Sequence, residues 1–193
     1  MRYTHCPDCG AQLTARELGD EGLVPWCDAC GRPWFDSFST CIIVAVMNAA
    51  GEVLLQREAR RPDREVLVAG YIKPGEPAED AVRREIAEET GLTASALCYM
   101  GSWPHMDGNM LMLGFRTLAE GNARPASSEV ASSRWASLDD AVASLREGSI
   151  AQQVVIMIRD ANPPNDRIPK RLSAAPGFFN FTKQSSAVLR LYV

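Results

Sequence analysis

The chain lacks an apolar run of membrane length: its longest, around Cys41–Val46 ("CIIVAV"), falls far short of the ~20 residues needed to cross a bilayer. Its first residues, "MRYTHCPDCG", show no apolar core of the kind an export signal carries, which sets the expectation of a cytoplasmic protein with no membrane partner. Positive charge is also in deficit. With 20 Lys and Arg against 24 Asp and Glu the net charge is −4, which weighs against a chain whose main work is neutralising nucleic-acid phosphates. The rest of the composition is globular, 46% hydrophobic and 23% charged over 193 residues, a length that suits one domain and a small accessory module. Charge is unevenly spread. From residue 161 onward Arg167, Lys170, Arg171, Lys183 and Arg190 face Asp166 alone, five positive against one negative or +4. With Pro163, Pro164 and Pro176 and little helical pattern, residues 162–193 read as a basic tail forming an extended arm.

Cysteine is sparse but clustered. Cys6-Pro-Asp-Cys9-Gly and Cys27-Asp-Ala-Cys30-Gly are two CxxC pairs with seventeen residues between them, the spacing of a four-thiolate zinc site. A CxxC turn points two sulfurs at one place, and the glycine behind it lets the backbone turn sharply enough for amides to face the thiolates. Two such knuckles complete the tetrahedral shell of a structural Zn²⁺ and leave no open position for a substrate water. Two disulfides or a CxxC redox pair are the alternatives, and both suit an exported chain better than this one. Residues 1–36 therefore read as a zinc ribbon in which metal supplies the folding energy that so short a segment cannot find in its own core. Cys41 and Cys98, each in an apolar stretch, read as buried thiols.

Residues 37–161 read as a mixed α/β sandwich. Strands are expected at Ile42–Met47, Glu52–Gln56, Val66–Gly70, Thr93–Tyr99 and Met110–Phe115, with exposed loops at Arg57–Glu65 and Pro104–Asn109. Helices are expected from Pro77 to Thr90, stopped by Gly91, near 138–146 behind a capping box at Ser137–Asp140, and over Ile150–Arg159.

The first helix raises a question of charge. "GYIKPGEPAEDAVRREIAEETGL" (Gly70–Leu92) places Glu85, Glu88 and Glu89 three and four residues apart on one helical face, while Val82 and Ile86 mark the opposite one. Such a face is either solvated surface or a seat for divalent cations, and oxygen-only ligands select hard ions such as Mg²⁺ or Mn²⁺. Magnesium shares its remaining positions with substrate phosphates, so a phosphate-containing guest follows.

These residues resemble the Nudix hydrolase family. Gly70, five residues, Glu76, seven residues and then Arg84-Glu85-Ile86-Ala87-Glu88-Glu89-Thr90-Gly91-Leu92 match every fixed position of the Nudix box. The resemblance implies a Nudix α/β/α fold with a mixed sheet and hydrolysis of a nucleoside diphosphate derivative by water attack on phosphorus. It implies that Glu85, Glu88 and Glu89 bind the catalytic metal with the Gly70 carbonyl, that Arg84 steadies a helix glutamate, and that Glu76 is a polar support. A zinc ribbon ahead of such a domain resembles the NADH pyrophosphatase-like subgroup, and Tyr99, Ser102, Leu111–Phe115, Glu129-Val130, Arg134-Trp135 and Ser149–Ala151 extend the match over roughly residues 5–155. That subgroup implies Glu129 as a downstream metal ligand or general base, Ala151 beside the substrate, and a homodimer. In "SWPHMDGNM" (Ser102–Met110) the chain departs from the Ser-Gln-Pro-Trp-Pro-Phe-Pro array of the NADH-cleaving enzymes. Trp103 could stack on a base and His105 could donate to a phosphate or ribose, or both are plain loop residues. The departure bears on which dinucleotide is taken, not on pyrophosphatase chemistry. NAD(H) is the first expected substrate, then FAD, ADP-ribose or another dinucleotide. An NAD cap on RNA would need the basic tail or the Arg57–Arg64 segment as a guide. A non-catalytic nucleotide-sensing protein is the rival reading.

Overall fold

A computed structural model describes residues 3–105 and 108–161. The expected tail at 162–193 lies outside the described residues. The cysteine-bearing segment forms a small antiparallel sheet of β1 (Thr14–Glu17), β2 (Leu23–Cys27) and β3 (Arg32–Pro33). Its core is correspondingly slight: Cys6, Leu13 and Cys27 are buried, with Tyr3, Ala11 and Trp34 packed around them.

A seven-stranded mixed sheet follows. At its centre β4 (Ser39–Met47) runs parallel to β9 (Met110–Glu120) and antiparallel to β5 (Val53–Glu58) and β7 (Val68–Tyr71). The order β10-β5-β4-β9-β8 is completed by β10 (Val130–Ala136) and β8 (Thr93–His105), while β6 (Arg61–Val66) pairs with β5. Because both faces of β4 are covered, its sequence reads as an unbroken apolar run rather than an alternating one. Ile42, Val44 and Val46 pack toward α1 (Ala78–Thr90) with Val82 and Ile86. Cys41, Ile43 and Ala45 pack toward Ala141 of α2 (Leu138–Ser144) and toward Val154, Val155 and Ile158 of α3 (Ile150–Ala161). This is the expected α/β/α sandwich. Among the described residues no helix is long and apolar enough to cross a membrane.

Two ends of α1 follow from local chemistry. Pro77 precedes the first turn, and Gly91 closes the last with its N–H on the Ala87 carbonyl at 3.1 Å. Val82 and Ile86 are fully buried, each contributing about 1.5–3 kcal/mol. A like-charge pair on the opposite face costs only about 0.2–0.5 kcal/mol, so packing decides that this segment is a helix. Ser137 caps α2 by accepting the Asp140 N–H.

Three expectations are corrected. Arg57–Glu65 is not a loop but a hairpin between β5 and β6, with Gln56 opposite Val66 and Glu58 opposite Arg61. Pro62 fits there because β6 is the outer strand, where a missing N–H breaks no second ladder. The hairpin was hidden by its charges, several of which find partners: Glu65 is 7% exposed and takes two hydrogen bonds from Arg134, at 2.7 and 2.6 Å. The strand expected to end at Tyr99 runs on to His105, so Trp103 and His105 lie on β8, opposite Met112 and Met110. Cys98, expected to be buried, is exposed because it lies on β8 at the sheet's edge.

Candidate functional site

The four paired cysteines converge. Gly10 and Gly31, both at positive φ (73° and 67°), close their knuckles with N–H bonds to the carbonyls of Cys6 and Cys27 at 2.9 and 2.8 Å. A side chain at either position would be strained. The sulfurs of Cys6 and Cys30 stand 3.9 Å apart and those of Cys9 and Cys27 3.5 Å apart, and all four lie within 4.8 Å of one another. Burial works against ionising Cys6, yet the backbone amides of Cys9 and Asp8 bring its thiol down to about 6. Neighbouring Cys9 and Cys27 push Cys30 up to about 12. The donor set and spacing fit one tetrahedral thiophilic cation.

The glutamates of α1 are arranged differently. Arg84 lies at the centre of a fan of acceptors. Its Nε and Nη2 donate to the two oxygens of Glu76 at 2.7 and 2.9 Å, and Nη2 also donates to the Tyr71 carbonyl at 3.0 Å. Its Nη1 donates to Glu85 at 2.6 Å and to Glu88 at 3.3 Å. Glu76 also accepts the Lys73 N–H at 2.9 Å. The Arg84 guanidinium, then that amide, hold the Glu76 carboxyl down at about 2. Arg84 thus ties the turn after β7 to the helix. Gly70 makes room for this: Glu85 lies directly over its α-carbon, and any side chain there would collide with the carboxylate.

Among the described residues Glu89 has no such cation. It is half-buried, and burial first, then the charges of Glu85, Glu129, Glu58 and Glu88, push it up to about 8. Glu129 sits just before β10, where its carbonyl accepts the Ala59 N–H at 2.7 Å and so ties it to the β5–β6 turn. Glu58 was missed by sequence reasoning, being one charge among many in "REARRPDRE". The signal was its phase: two and four residues after Leu54, Gln56 and Glu58 continue on the face that packs against α1. Among the described residues only the cysteines gather three or more ligand atoms within 4.8 Å. Of the glutamates, Glu85 and Glu88 are held by Arg84, and Glu89 has Glu129 and Glu58 as charged neighbours. Crowded hard oxygen donors with one shared counter-charge nevertheless fit a divalent cation, which would relieve the repulsion on Glu89.

The residues proposed for a substrate ring lie on the other face of the sheet. Tyr71, Cys41, Met112 and Trp103 are direct neighbours across four strands. The Trp103 indole lies over Gly101 and Gly114, where a Cβ at Gly114 would strike it. Trp103 and Ala151, in the first turn of α3, pack against the same core cluster. His105 accepts the Gly108 N–H on Nδ1 at 3.1 Å, which leaves Nε2 to carry the proton. Near Tyr71, Phe38, Ile72 and Lys73 help to line a pocket of about 370 Å³. Gly70 faces the carboxylates and Tyr71 the ring-bearing side, so β7 is where the two meet.

Comparison with known proteins gives the family and the fold. The NUDIX domain model matches residues 38–157. Over 158 residues the chain is 31% identical to the NAD-capped RNA hydrolase NudC of Vibrio vulnificus, covering 80% of this chain and 58% of that one. It is 34% identical over 158 residues to that of Stutzerimonas stutzeri, covering 80% and 55%. The chain thus spans little more than half the length of these curated relatives. Among solved structures, a NUDIX hydrolase from Nitrosomonas europaea superposes with a TM-score of 0.60 at 17% identity, covering 79% of this chain and 88% of that one. The NUDIX domain of Shewanella oneidensis NrtR complexed with ADP ribose gives 0.57 at 17% identity, covering 70% and 93%. At those identities the likeness is one of fold.

Proposed function

Because this chain belongs to the Nudix family, we propose that it is a divalent-metal-dependent pyrophosphohydrolase that cleaves the diphosphate of a nucleoside diphosphate derivative, with NAD(H) the first candidate. The observation that carries this reading is the seating of Glu85 over Gly70 by Arg84, beside a Glu89 on which the charges of Glu85, Glu129, Glu58 and Glu88 act. Glu85, Glu88, Glu89 and Glu129 would hold Mg²⁺ or Mn²⁺ with the Gly70 carbonyl. A metal bound there lowers the pKa of a coordinated water and offsets charge on the phosphoryl oxygens.

The chain's own residues do the rest. Arg84 keeps Glu85 and Glu88 on the side of the turn after β7, and Glu76 anchors Arg84. Glu129, whose charge acts on Glu89, is the candidate base. Trp103, His105 and Ala151, with Tyr71 across the sheet, offer a stacking surface and a donor for the ring and ribose of a dinucleotide. Zn²⁺ in the four-cysteine site would brace the ribbon. The six cysteines are all free thiols, which suits a reducing, cytoplasmic setting. The exposed rings of Phe35 and Phe38 support a homodimer that covers them.

NAD-capped RNA is the favoured polymeric substrate, since the relatives are named for it. FAD and ADP-ribose remain the small-molecule alternatives, and a nucleotide sensor is the rival from another class. Retention of every box glutamate favours the enzyme. Incubation with NADH, FAD, ADP-ribose and NAD-capped RNA in Mg²⁺, against Glu88→Gln, tests the proposal. The expected result is mononucleotide release from at least one substrate by the wild type alone. Binding without turnover in both proteins would establish the sensor.

A further inference from the structure

Two buried polar atoms beneath the acidic site have no partner. Gln56 is 2% exposed, yet among the described residues its side-chain Nε2 makes no hydrogen bond, and neither does the buried Oγ of Ser133. The two residues face each other directly across β5 and β10. The pair before them, Leu54 opposite Trp135, packs into the apolar cluster under α1, so alternation turns Gln56 and Ser133 to the same side. Beyond them the same strands lead to Glu58 and, past Val130, to Glu129. The two orphaned groups thus lie between the apolar seam and the carboxylates.

A buried donor left unpaired loses its hydration with nothing in return, and native proteins keep few of them. An amide N–H can only donate, and what this side of the sheet has in excess is carboxylate oxygen. Glu85 and Glu88 are satisfied by Arg84. The Glu89 side chain makes no hydrogen bond among the described residues, although Ala126 N–H fixes its backbone carbonyl at 3.0 Å. We propose that Gln56 and Ser133 are positioning residues for Glu89, which turns to accept their N–H and O–H when a divalent cation binds and is oriented by them. Hydrogen-bonded outer partners of this kind fix the direction of a metal-binding carboxylate. The inference rests on the pyrophosphohydrolase reading, because it presumes a cation over α1.

The test uses the full chain as Gln56→Met, Ser133→Ala and the double variant. Mn²⁺ affinity is read by electron paramagnetic resonance, melting by calorimetry, and kcat and KM with the best substrate of the screen. Expected are Mn²⁺ binding weaker by about 10–100-fold, a lower kcat with KM for the dinucleotide kept, and a double variant little worse than the worse single one. Should Gln56→Met fail to fold, Ser133→Ala carries the same expectation with a smaller change of volume. Mn²⁺ affinity within about twofold of wild type would overturn the inference, and would mean that the pair serves only packing or an internal water. A wild type that binds no Mn²⁺ would instead remove the pyrophosphohydrolase reading, and the inference with it.

Discussion

The cysteine cluster and the glutamate site each bring several donors together, and they stand at opposite ends of preorganisation. The sulfurs already converge within 4.8 Å. The glutamates are spread, two of them held by Arg84 and one pressed toward its protonated form. The difference lies in the charge of the metal-free state. Thiols can be neutral and pack in a small apolar core, as Cys6 and Cys27 do. Carboxylates repel unless one is protonated or a cation pairs them, and here Arg84 pairs with Glu85 and Glu88 while Glu89 is pushed toward its protonated form. One site is therefore part of the fold, and the other is tolerated by a fold that α1 packing already secures.

The sharpest way to break that comparison is Glu89→Gln. It should lower turnover on the order of 10²–10³-fold, comparable to losing one preorganised electrostatic group, with melting in metal-free buffer unchanged or raised because a repelling charge is gone. A large drop in melting would place Glu89 in the fold. Next in size, Cys27→Ser should release the ribbon's metal and lower melting by about 10 °C, the equivalent of about 3 kcal/mol in a chain of this length, while turnover per folded molecule is largely kept. Zinc content by atomic absorption and a calorimetric scan check it; lost chemistry with intact melting would contradict a structural ribbon. Smaller again is Arg84→Lys, which keeps the charge but loses the fork on Glu76. About tenfold in kcat is expected, and full activity would show that the spread of the glutamates is set by something else.

What the sequence made legible divides along the same line. The CxxC pairs and the Nudix box are compact in sequence, because a knuckle or a helix face sets their geometry over a few residues. Glu58 was legible only as a phase along β5, since bringing it together with Glu129 depends on the β5–β10 register, which shifts between Val130 and Ser132. The seat of Trp103 over Gly114 depends on the β8–β9 pairing, and "SWPH" reads as a loop until that pairing is known. The Glu65–Arg134 pair joins residues 69 apart in a run whose charges resemble solvated surface. Local chemistry announces itself; carboxylates assembled by long-range register do not.

Glu65 supplies the control, an acid with a permanent protein cation and no part in the proposed metal site. Its hydrogen bonds from Arg134, and secondarily the charges of Arg134 and Arg57, hold its carboxyl below the ordinary range in the folded chain. A lowered folded value means that the ionised form is favoured by folding. The stabilisation is complete above the ordinary carboxylate value of about 4.3 and is lost as pH falls through the lowered one. Arg134→Gln also loses contacts to Asp140 and Ser144. It should therefore melt below wild type at pH 7 by about 1 kcal/mol, Arg134 being partly exposed. That gap should narrow as pH is taken below about 4 and stay the same with or without Mg²⁺. A gap indifferent to pH would mean that the pair contributes through packing alone. A gap that opens only with Mg²⁺ would join Glu65 to the metal site and erase the distinction between acids that the fold neutralises and acids that await a cation.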